Sequence, residues 1–178
     1  MERGPGRLLR DWRHEERRSP DGAFESAQRV AAPGLVVERS PAGARRLGHV
    51  YWTVVESATA GLVGAREGAD GVELRLLGRW PLLLRFGRPD VGAGEELVWC
   101  RYPITGGLLA RRAGGEIVFS QTASPGYELC AEIRGFHPAL AGGDGWRSWT
   151  DLLYTGLQSR LHVAISRRYF AALLRADG

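Results

Sequence analysis

The stretch His49-Val50-Tyr51-Trp52-Thr53-Val54-Val55 decides the architecture of this chain. It sits within residues 42–60, AGARRLGHVYWTVVESATA. Its density of β-branched and aromatic residues favours a strand. Trp52, Val55 and Thr59 also fall on one helical stripe, so a helix over about 42–60 is the second reading. The choice turns on what the flanking segments supply.

Upstream, Leu35–Arg39 is a short β-rich run closed by Ser40-Pro41. Downstream, strand signals dominate as far as Pro138. Gly61–Glu67 and Val72–Leu77 flank Gly68-Ala69-Asp70-Gly71, which is hairpin chemistry. Trp80–Phe86 follows Gly78 and is closed by Gly87. Glu96–Ile104 (ELVWCRYPI) stops at Thr105-Gly106-Gly107. Leu108–Arg112 and Glu116–Thr122 flank Ala113-Gly114-Gly115, a second hairpin signal, and Tyr127–Phe136 (YELCAEIRGF) alternates until His137-Pro138. Runs of this kind joined by turn residues predict an antiparallel meander of six or seven strands.

Alternation assigns faces to the strands. On Glu96–Ile104 the face of Val98, Cys100, Tyr102 and Ile104 is apolar, and Leu97, Trp99 and Arg101 share the other. On the last strand Tyr127, Leu129, Ala131 and Ile133 point one way. Glu128, Cys130, Glu132 and Arg134 point the other, which reads as solvent. Cys100 is expected in the core, Cys130 on a polar face, and the two carboxylates on a solvated surface.

Beyond a glycine-rich loop, Ser148-x-x-Asp151 is a variant capping box. From Trp149 apolar residues recur at three-to-four spacing through Leu152, Leu153, Leu157, Leu161, Ile165 and Leu173. A helix over 149–175 would be roughly 40 Å long. Residues 1–33 read as a peripheral or flexible segment, with Trp12 available to staple it to the body. Residues 34–178 read as one domain.

Composition narrows the chemistry. All 24 basic residues are Arg, and the chain has neither Lys nor Asn, as expected of a GC-rich coding sequence. Without Lys there is no Walker-A phosphate loop, no Schiff-base amine and no kinase-type lysine. The net charge of +4 is concentrated at the ends: residues 1–18 carry +2, residues 147–178 carry +3, and the body is at −1. No secretory leader or membrane span is legible, so a cytoplasmic location with reduced thiols is expected. The four histidines are scattered, with no HExxH, His-x-His or CxxC spacing, so neither a metal nor a cofactor is expected. The glycine pairs lie between strand-like runs, which argues against a nucleotide loop. No basic-aromatic motif of a nucleic-acid binder is present, and no nucleic-acid partner is expected.

An antiparallel meander followed by a long C-terminal helix resembles the helix-grip fold of the START, Bet v 1 and polyketide-cyclase (SRPBCC) superfamily. The resemblance rests on element order across residues 34–175. Members usually carry two short helices after the first strand, and only residues 42–60 could supply them here. A strand at 42–60 would instead favour a small lipocalin-like β-barrel with a helix. The resemblance implies an apolar cavity between sheet and C-terminal helix that takes a small hydrophobic molecule. Some members catalyse cyclisation or dehydration of the bound ligand.

Six residues are expected at such a site. Trp80 and Trp99 offer large apolar walls with an N–H donor each. Arg101 would anchor an anionic group. Tyr102, and Tyr154 and His162 on the helix, would look into the cavity. No catalytic residue is identifiable. The alternatives are a cyclase or dehydratase in the same cavity, or an Arg-rich interaction or membrane-surface module. The oligomeric state is not legible.

Overall fold

The computed structural model describes residues 11–123, 125–139 and 158–175. Its element order is β1 (Arg13–Arg18), β2 (Phe24–Ala31), α1 (Pro41–Ala58), β3 (Val63–Gly68), β4 (Gly71–Leu76), β5 (Leu82–Phe86), β6 (Asp90–Ala93), β7 (Leu97–Gly106), β8 (Glu116–Thr122), β9 (Glu128–Phe136) and α2 (Gln158–Arg175). The class is α+β. The strands form one antiparallel sheet in the order β1-β2-β9-β8-β7-β5-β4-β3, with β6 also paired to β7. The sheet therefore has nine strands rather than six or seven. It is open, because β1 and β3 end the order without pairing, so the lipocalin-like barrel does not form among the described residues.

The deciding stretch is a helix. Ser40 is extended (φ −146°) and its Oγ accepts from Gly43 N at 3.1 Å, while Pro41 takes the first helical turn. Ala44, Leu47, Gly48, Tyr51, Trp52 and Val55 are buried at helical spacing. This stripe faces the sheet and α2. Burial of a stripe this wide outweighs the local β-preference of HVYWTVV. Gly48 sets how close the helix comes: a Cβ there would lie 2.5 Å from Tyr102 Oη.

The segment expected to be peripheral carries β1 and β2. β2 pairs with β9 from Phe24↔Phe136 to Ala31↔Glu128, so the strand before α1 lies beside the last strand of the chain. Trp12 packs edge-on against Phe170 of α2, ring centres 5.7 Å apart. Residues 35–39 are not a strand. Val36 and Val37 are buried there, and their backbone pairs with the Gln121 side chain instead of with a ladder. Residues 108–112 also lie outside the strands, apart from a bridge from Ala110 to Pro138.

The core lies between the inner face of the sheet and the two helices. Tyr51 and Trp52 meet Phe119 at 4.6 Å and Phe86 at 4.9 Å, and Tyr169 of α2 closes on Tyr51 at 5.4 Å. Cys100 is buried in this core. Cys130 points to the outer face as expected, yet it too is buried. It is in register with Arg29 and Ser120, beside the Arg29–Glu132 ion pair.

Candidate functional site

Among the described residues the inner face is not filled at one end. A cavity of about 440 Å³ opens there between α1, Ile165 of α2, and the sheet. Tyr51, Trp52 and Val55 form its helical wall. Leu84, Phe86, Ile104, Ile117, Ile133 and Phe136 form the sheet wall. Leu84 and Phe86 share one face because alternate residues of a strand point the same way, and Phe136, three residues after Ile133, joins that face at the register shift opposite Phe24 and Ser26. Val63, Leu74, Leu83, Leu109 and Pro138 complete the apolar boundary. The volume falls within the range of pockets that take small organic ligands.

The rim differs from the body. β1 contributes Glu16, Arg17 and Arg18, and α1 ends there at Thr59. Glu16 Oε1 lies 3.0 Å from His14 Nε2. Arg17 donates to Glu25 Oε2 from Nε at 3.1 Å and from its terminal NH2 at 2.6 Å. Arg18 lies over the Phe24 ring, 5.9 Å from its centre, and Phe24 is itself part of the wall. In the cavity wall, burial raises the Tyr51 phenol above its ordinary value, so it stays protonated and is a hydrogen-bond donor rather than a base.

The residues expected at the site are not brought together. Trp80 lies in the turn before β5 and is 80% exposed. Gly78 takes a positive φ of 67° and Pro81 has no N–H for a ladder, so the strand starts only after them. Trp99 and Arg101 share a face, as alternation requires, but it is the outer one. The Trp99 indole lies across Gly92 of β6, whose Cβ would approach it to 2.2 Å. Arg101 stacks on Trp99 at 5.3 Å and is paired with Asp90 and Glu116. It is one member of an outer-face lattice in which Arg13, Arg29 and Arg134 meet Glu128, Glu132 and Glu116. Glu128 and Glu132 are thus ion-paired on that face. Tyr102 is on the inner face but packed in the core, 5.3 Å from Trp52. Tyr154 lies outside the described residues, as does the side chain of His162.

The residues that do line the cavity were legible only in part. Ile104 shares the apolar face predicted for its strand, and Ile165 the predicted helix stripe. Phe24 and Arg18 lie in the segment read as peripheral, where six charged or polar residues in a row (RHEERR) give no apolar alternation.

Among the described residues no group of three His, Cys, Asp or Glu could hold a metal ion, and no helix is long and apolar enough to cross a membrane. Neither family models nor curated proteins give a match to this chain. Fold and pocket define the class: an α+β protein with an open antiparallel sheet, two helices, and an apolar cavity lined mainly by the sheet and α1, with Ile165 from α2.

Proposed function

We propose that this chain binds a small hydrophobic molecule in the cavity between its sheet and helices, in the manner of the helix-grip proteins it resembles. The observation that carries this reading is a 440 Å³ space with an almost wholly apolar body. Close packing is the rule in protein interiors, so an apolar space of this size among the described residues supports a ligand site. Element order supports the same reading, since the strand before α1 lies beside the last strand and the chain ends in a helix packed on α1. The cyclase or dehydratase alternative needs an ionisable group in the wall. Within the described cavity body that group is Tyr51, a phenol held protonated by burial. A protonated phenol can serve as a general acid but not as a base, so the apolar lining, not the phenol, is what favours binding.

The test is a titration with anilinonaphthalene sulfonate, which fluoresces in apolar surroundings. The wild-type protein is expected to give saturable enhancement. Val63→Trp, which places an indole in the cavity, is expected to lose most of it while keeping a cooperative thermal transition. Equal enhancement in both proteins would assign the dye to another surface and overturn the reading.

A further inference from the structure

The charged rim of the cavity is uneven. Of its three charged side chains, Glu16 is beside His14 and Arg17 is bound to Glu25. Arg18 has no carboxylate partner among the described residues. Its guanidinium is held over Phe24, a ring that lines the cavity. The result is a cation at the mouth of an apolar space, positioned by that space and with its N–H fork unmatched.

We propose that Arg18 anchors the carboxylate of a single-chain acyl ligand whose tail fills the cavity. This rests on the hydrophobic-binding reading above and adds the class of ligand and its orientation, head at β1 and tail toward Ile117 and Phe86. A guanidinium matches a carboxylate bidentately, and the contact is stronger than a neutral hydrogen bond. One free cation offsets one negative charge. Glu16 stands on the same rim, so a dianionic phosphate head is matched less well than a carboxylate. Taking about 30 Å³ per water-sized group, 440 Å³ holds roughly fifteen such groups, which is a chain of about ten to fourteen carbons. Arg101, the cation that sequence alone suggests, lies on the far side of the sheet and is already ion-paired.

The experiment is calorimetric titration of the full chain with dodecanoate, dodecan-1-ol and dodecyl phosphate, each below its aggregation concentration. Wild-type protein is expected to bind dodecanoate most tightly. Arg18→Gln is expected to weaken dodecanoate about tenfold, leave dodecan-1-ol unchanged, and remove the salt dependence of dodecanoate binding. Arg101→Gln is expected to change nothing. Retention of wild-type dodecanoate affinity by Arg18→Gln, with dodecan-1-ol still binding, overturns the anchor and leaves the cavity reading in place. Tighter binding of dodecyl phosphate than of dodecanoate overturns the carboxylate assignment. Binding of none of the three overturns the cavity reading itself, and the anchor with it.

Discussion

Gln121 Oε1 accepts from Val36 N at 2.7 Å and Val37 N at 2.9 Å, and its Nε2 donates to Val37 O at 3.1 Å. One side chain thereby does for residues 36–37 what a neighbouring strand would do. Gln28 of β2 is equally buried, yet neither its Oε1 nor its Nε2 has a partner among the described residues. Removing a buried group that satisfies others leaves them stranded, whereas removing an unpaired one relieves a desolvation cost. The same substitution should therefore act with opposite sign at the two sites. Gln121→Leu is expected to destabilise by roughly 2–4 kcal/mol, because three backbone groups lose their partner. Gln28→Leu is expected to stabilise by about 1 kcal/mol. Urea denaturation of both variants checks this, and a loss of stability in Gln28→Leu would mean that its amide is satisfied in solution. The pair also marks a limit of residue-level reading. Gln121 sits in a run that reads as strand and Gln28 in one that reads as peripheral, and nothing local tells which one has a backbone to hold.

At the scale of elements, α1 shows where sequence signals compete. Ser40-Pro41 reads equally as the end of a strand and as the start of a helix, since proline stops a ladder and also suits the first helical turn. The structure uses it as a start. Ser40→Ala should cost about 1 kcal/mol through loss of the bond to Gly43 N. Thermal melts would show it, and an unchanged midpoint would mean that packing alone fixes the start of the helix. Strands with strong alternation were legible: β7, β8, β9 and the β3–β4 hairpin lie within a few residues of their expected spans. β1 and β2 were not. β1 is a charged edge strand, a composition that blunts edge pairing and carries no apolar period. β2 has Ser26 and Gln28 on its inward side, so its buried face does not look apolar. The candidate site suffered from the same gap. Alternation groups Trp99 with Arg101, but which face turns to the helices depends on where the helices pack.

At the scale of the whole molecule, the absence of lysine makes the protein's alkaline behaviour unusually simple. Arginine stays charged far above neutral pH. Apart from the α-amino group, only two cysteines and five tyrosines can lose a proton between about pH 8 and 12. Among the described residues, five of these are buried: Cys100, Cys130, Tyr51, Tyr102 and Tyr169. Burial pushes the Cys100 thiol up to about 11, and burial together with the Glu132 charge pushes Cys130 up to about 12, from an ordinary value of 9.0. Burial likewise raises all three tyrosines. The folded state thus keeps these protons to higher pH than the unfolded chain, and the stability linked to them is complete below pH 9. As pH rises from 9 toward 12, the unfolded chain deprotonates first and stability falls. The urea midpoint is expected to be flat from about pH 7 to 8.5 and to decline steadily above pH 9. Replacing both cysteines with alanine should shallow that decline, because the thiols have the lowest ordinary values and titrate first in the unfolded chain. The same burial predicts that neither thiol reacts with a disulfide reagent at pH 8 until denaturant is added. A midpoint that holds through pH 11, or rapid thiol labelling of the native protein, would show that the sheet and helices do not seal these groups from water, and a cavity wall built on Tyr51 would then be open to solvent as well.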